Sequence, residues 1–211
     1  MNRRTLIQTA AATLAIAALP KNTFAAPTGI HKEESSIFDG ASTLATRFIH
    51  LTPKVEFNEA MGYFELESSV AGYESVESAT EAFASMVEAT DNSATQGVEK
   101  IVPINVFAIE RDPSGDEWLG DRSAVFTSTS FMSTVQDGHV IIIQTGNLVH
   151  FWWTYSFQVA NVSDITFELA ETVFSRNEAL VSDSLLDYLP TVDDVAVFGQ
   201  VNLTGEKEES L

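Results

Sequence analysis

The 211-residue sequence contains no cysteine. That absence excludes disulfide staples, thiolate zinc sites, cysteine nucleophiles and lipid attachment through an N-terminal cysteine. Basic side chains are scarce: 11 Lys and Arg stand against 30 Asp and Glu, a formal charge of −19. A nucleic-acid partner is excluded on that balance, because phosphate backbones are held by clustered Lys and Arg. Gly-x-Ser-x-Gly, Ser-x-x-Lys, phosphate-loop and dinucleotide patterns do not occur. No serine-hydrolase centre and no cofactor site is therefore expected. No period of about 20 to 50 residues recurs, which excludes a repeat array. With 45% hydrophobic and 10% aromatic residues, the chain is nevertheless equipped to bury a core.

The N-terminus carries an address. Asn2, Arg3, Arg4, Thr5, Leu6 and Ile7 precede an uncharged run from Leu6 to Leu19, then Pro20, Lys21 and small residues. That run has 14 residues, whereas a helix crossing a bilayer takes about 20, so no stable membrane span is expected in the mature chain. The pair Arg3 and Arg4, followed by Thr5 and two large apolar residues, resembles the twin-arginine signal that exports folded proteins, with the basic end of a general secretory signal as the alternative. Asn2 and Leu6 depart from its usual Ser or Thr and Phe. The resemblance implies export to the cell surface, periplasm or exterior. Cleavage after Ala25 removes three basic residues, leaving 8 against 30 acidic ones, a charge of −22. The expected organisation is a signal over residues 1–25, a leader over 26–36, one domain over 37–189 and an acidic tail over 190–211, an edge strand fading to disorder.

Periodicity assigns the elements. Leu44, Phe48 and Leu51 recur at helical spacing over residues 37–51, before Pro53. Phe64, Leu66 and Val70 alternate as in a strand over 62–70. Ser75 caps a helix with Ala79, Phe83 and Met86 on its buried stripe. A strand over 100–110 is followed by a meander over 124–135, 139–145 and 148–159, with Asp137–Gly138 and Gly146–Asn147 as two-residue turns. A last helix opens at Ser163. The expected fold is α+β: one antiparallel sheet of about five strands, including a C-terminal three-stranded meander, packed with two main helices.

Of the four histidines, His31, His50, His139 and His150, the last two share a sheet face in this register. They lie about 13 Å apart, too far to ligate one ion. Phe151, Trp153, Tyr155 and Phe157 project together and are expected beneath helices, leaving Trp152 on the other face with His150 and Thr154, opposite Ile141. Those four, His150, Trp152, Ile141 and Thr154, are the candidate ligand-binding residues. The loop carrying Asp112, Ser114, Asp116 and Asp121 alternates oxygen ligands as calcium loops do. Counted from Asp112, however, Glu117 occupies the glycine position and Ser123 the bidentate-glutamate position of an EF-hand. A solvated loop is the simpler reading, and a weak calcium site is its rival.

The order of helix, strand, helix, four strands and helix resembles small α+β domains of the photosystem-accessory and Ran-binding kind (PsbP/Mog1-like), and more loosely the nuclear-transport-factor type. Layout of this kind carries no function by itself. The function expected is a non-enzymatic extracytoplasmic binding or interaction domain, with a protein or small molecule as partner. The alternatives are a small pocket enzyme or ligand carrier of nuclear-transport-factor shape, and a calcium-dependent surface component.

Overall fold

A glycine in the left-handed region sets the register of the sheet's centre. Gly146, at φ 57°, turns β5 (Gln136–Thr145) into β6 (Leu148–Val159). Thr145 consequently pairs with Leu148, Ile143 with His150, Ile141 with Trp152 and His139 with Thr154, which is the register expected from the Gly146–Asn147 turn. The other expected turn is corrected: Gly138 lies inside β5, between Ser128 and Tyr155. Its missing side chain permits close approach, since a Cβ there would stand 2.0 Å from the Thr154 carbonyl oxygen.

The computed structural model describes residues 37–54, 58–95, 107–130, 136–159 and 162–211. The remaining strands are β1 (Thr43–Pro53), β2 (Asn58–Gly72), β3 (Phe107–Asp112), β4 (Arg122–Ser130) and β7 (Gly199–Ser210). All pairings are antiparallel, in one sheet of seven strands ordered β3-β4-β5-β6-β2-β1-β7. Three helices accompany it: α1 (Val76–Thr95), α2 (Val162–Asn177) and the short α3 (Val192–Ala196). The α+β class and the single antiparallel sheet agree with expectation, but among the described residues there are seven strands instead of five and a third helix. Residues 100–106 and 131–135, part of the expected strands, lie outside the described residues, as do the expected signal and leader over 1–36.

β1 replaces the helix expected over 37–51. The spacing of Leu44, Phe48 and Leu51 suits a helix, but Thr43, Thr46, Ile49 and Thr52 are β-branched and favour a pleated backbone. In the sheet that stripe is split, with Leu51 beside Ile49 and Ala45 on one face and Leu44 and Phe48 on the other. Ser75 does cap α1, accepting from the Ser78 amide at 3.1 Å. Helix α2 begins at Val162, so Ser163 lies within its first turn instead of capping it.

The sheet is covered from both sides. Val162, Ile165, Leu169, Ala170, Val173 and Phe174 of α2 pack on Ile49, Leu51, Phe64, Leu66, Val125, Ile141, Ile143 and Trp152. Val195 of α3 and Phe198 extend this core, and Leu185 and Leu189 close its edge over Ala45 and Val70. α1 packs over β3, β5 and β6, held by Gln144 Nε2 donating to Thr80 Oγ1 at 2.9 Å. Gln144 projects opposite to Ile141 and Ile143, so α1 and α2 occupy opposite faces. The fully buried aromatic face is therefore that of Trp152, whereas Phe151, Trp153 and Tyr155 are half-buried, the reverse of the expectation. Phe157's side chain lies outside the described residues.

Residues Phe38–Leu211 form one compact unit. It includes the segment expected to be a tail: Thr191 and Asp194 make a capping box on α3, and β7 then pairs with β1 as far as Ser210, beyond the expected fading at Thr204. Main-chain pairing overrides the low apolar content of that strand, whose side chains are mostly exposed. Among the described residues no helix is long and apolar enough to cross a membrane.

Candidate functional site

The four candidate ligand-binding residues do converge, and α2 covers them. Ile141 and Trp152 are cross-strand partners, Thr154 and His150 flank Trp152 on the same face, and all four are at most 1% exposed. The His150 ring meets Phe174 of α2 at 4.8 Å, and Trp152 meets the same ring at 6.1 Å. Thr154 Oγ1 accepts from the His139 amide at 3.1 Å and lies 3.2 Å from Thr166 Oγ1 of α2. His139 is held on the same face, its Nε2 3.3 Å from Ser163 Oγ and its ring 5.0 Å from that of Phe167. His139 and His150 thus stand in separate surroundings along one strand face.

Electrostatics fits this core position. Burial drives the His150 pKa from 6.5 down to about 3, so its imidazole is neutral across the physiological range. A neutral ring sealed from bulk solvent is poorly placed to shuttle protons to an external substrate.

The acidic loop is organised by its own hydrogen bonds. Asp112 Oδ1 accepts from the Ser114 amide at 2.9 Å and its hydroxyl at 2.7 Å, capping the 3-10 turn Pro113–Gly115. Those bonds hold the Asp112 carboxyl below its ordinary pKa. Asp116 pairs with Arg111 at 3.1 Å, while Asp121 Oδ2 turns away to accept from the Gly146 amide at 2.7 Å. Ser123, the twelfth position of the loop, ties it down by accepting from the amides of Trp118 and Leu119. Among the described residues no group of three or more His, Asp or Glu is placed to hold a metal ion.

One cluster escaped sequence reasoning. His50, Glu65 and Tyr155 stand in a row across β1, β2 and β6, on the face away from α2. Tyr155 donates to the Glu65 carboxylate, whose other oxygen lies 3.2 Å from His50 Nδ1, and Tyr63 stacks on His50 at 5.5 Å. Burial, then Glu65, raise the Tyr63 pKa to about 12; burial and the Glu65 hydrogen bond raise that of Tyr155. Both phenols remain donors, which suits anchoring better than acid–base work. Alternation marks each residue as surface-facing, but only strand pairing brings the three into line.

No protein-family model and no curated protein matches the chain. Among solved structures, the extracellular domain of PknH from Mycobacterium tuberculosis is similar at a TM-score of 0.40 and 12% identity, over 62% of this chain and 63% of that one. The chain thus spans less than two thirds of that domain.

Proposed function

We propose that the chain is an exported, non-enzymatic interaction domain that works outside the cytoplasm. The address Arg3–Arg4 with its short apolar run supports export, by the route that carries folded proteins. The observation that carries the interaction reading is a contrast between two parts of the sheet. The α2 face is sealed, with its candidate quartet at most 1% exposed. The outer edge of β7, 12 residues long and free of proline, has no neighbouring strand among the described residues.

The opposite edge, β3, runs directly into Pro113, which limits strand addition at that end. An extended partner segment can add its main-chain hydrogen bonds along β7. The acidic side chains of β7 are engaged within the chain, Glu206 by Arg47, Glu208 by Ser184 and the Leu185 amide, and Glu209 by Lys207, so main-chain pairing is what the edge offers a partner.

Two measurements test the reading. Cell fractionation should find the wild-type chain shortened and outside the cytoplasm, and Arg3→Lys with Arg4→Lys should hold it inside as a precursor. A photo-crosslinker at Leu203, which is 43% exposed on β7, should capture a partner on intact cells more efficiently than one at the exposed Val181. Wild-type protein retained in the cytoplasm would overturn the export part. Equal, diffuse labelling from both positions would overturn the β7 part.

A further inference from the structure

The buried polar side chains on the α2 side of the sheet include two distinct groups. Thr154, Thr166, His139 and Ser163 are linked by the contacts described above. Ser68 Oγ, His150 Nδ1 and Trp152 Nε1 are fully enclosed and have no hydrogen-bond partner. Buried polar atoms are almost always satisfied, by protein or by an ordered molecule.

These three atoms belong to neighbouring side chains. Ser68 stands directly opposite Trp152 across the β2–β6 pairing. His150 precedes Trp152 by two residues on the same face, opposite Val70. Both rings pack against Phe174, and Ser68, Trp152 and His150 are each at most 1% exposed. The neighbouring strand positions are apolar: Ile141 stands opposite Trp152 and Val70 opposite His150, both fully buried.

We propose that Ser68, His150 and Trp152 form an internal site beneath α2 for one small, neutral, hydrogen-bonding guest. The donor set fixes its chemistry. Trp152 Nε1–H only donates, so the guest must accept. The Ser68 hydroxyl serves either way, and so does His150 Nδ1 according to its tautomer. An ion is disfavoured, because the site offers no opposite charge and would have to desolvate the guest unaided. A water molecule with three partners meets these terms, which is the usual coordination of buried water. A small uncharged organic solute with a hydroxyl or carbonyl oxygen meets them equally. The site is independent of the β7 interaction reading.

The test is a crystal structure of the chain at a resolution that shows single waters, with native mass spectrometry of the same preparation and 15N spectra of the Trp152 indole and His150 imidazole. Water predicts one isolated peak about 3 Å from all three atoms and no added mass. An organic guest predicts extended density and an added mass, and either result supports the site. Ser68→Ala, a change too small to unfold the core, should move the Trp152 indole resonance because the two groups share the guest. Trp152→Phe, which keeps the ring and deletes the donor, should weaken or empty the density. The proposal is overturned if the space between the three atoms holds nothing and Trp152 Nε1–H points at a protein acceptor. An unmoved indole resonance in Ser68→Ala overturns it as well.

Discussion

The His150 imidazole stands edge-on to the Phe174 ring, with centroids 4.8 Å apart and planes inclined at 69°. Enclosed there, the folded-state imidazole has a pKa of about 3 against 6.5 for the ordinary group. The unfolded chain therefore binds the extra proton in the window between those values. Stability should fall as pH drops through it, by on the order of 1.4 kcal/mol per pH unit from this group alone. Urea midpoints followed from about pH 7 down to about pH 4 should show a shallower decline in His150→Leu than in wild type. Identical slopes would mean that the native state admits the proton.

Two glycines of one hairpin should respond differently to alanine. Gly138 has no room for a Cβ, which would lie 2.0 Å from the Thr154 carbonyl oxygen, so Gly138→Ala must push β5 away from β6. Gly146→Ala meets no atom within 4 Å and bears only the strain of φ 57°. The expected losses are about 3 kcal/mol or more for the first, as in other overpacked sites, and about 1 kcal/mol for the second. Chemical denaturation of both variants decides it, and equal losses would refute the close-approach account.

Arg176 binds the segment between α2 and β7. Its guanidinium donates to the Asp194 carboxylate, to the Leu189 carbonyl at 2.9 Å and to the Asp187 carbonyl at 3.2 Å. Lysine cannot reproduce this fork. Arg176→Lys should cost about 1–2 kcal/mol and Arg176→Ala about 2–3 kcal/mol, with new proteolytic nicking between Leu180 and Phe198. Unchanged protection of that segment in both variants would show that the hydrophobic contacts of Leu185 and Leu189 hold it alone.

Calcium should have little to bind. The oxygens of Asp112, Asp116 and Asp121 are engaged by Ser114, Arg111 and the Gly146 amide, and do not converge. Millimolar calcium is expected to leave Tm unchanged, while Asp121→Ala should lower stability by about 1 kcal/mol through loss of the bond to the Gly146 amide. A rise of several degrees with calcium, absent in Asp112→Asn, would restore the calcium-dependent reading.

The hairpin of β5 and β6 was legible because Gly146–Asn147 carries its turn chemistry in two adjacent residues, and register then follows by counting. Asp137–Gly138 shows the limit of that signal: a glycine required by a neighbouring strand looks the same as one required by a turn. β1 was hidden by the spacing of Leu44, Phe48 and Leu51, which satisfies a helix until the β-branched residues between them are weighed. β7 carried too few apolar residues to announce itself, since an edge strand is held mainly by its main chain. The sequence also separated the Trp152 face of β6 from that of Trp153. Which face α2 would cover depends on packing among distant elements, and no local pattern encodes it.

β1 is the first strand of the sheet, yet it lies between β2 and the last strand, β7. Its second row of main-chain partners does not exist until β7 has emerged from the ribosome. During synthesis the β1 edge is exposed to any competing strand, and Arg47 waits without the carboxylate of Glu206, which it meets at 2.5 Å in the finished domain. The β1–β7 side of the sheet can therefore close only after translation of β7.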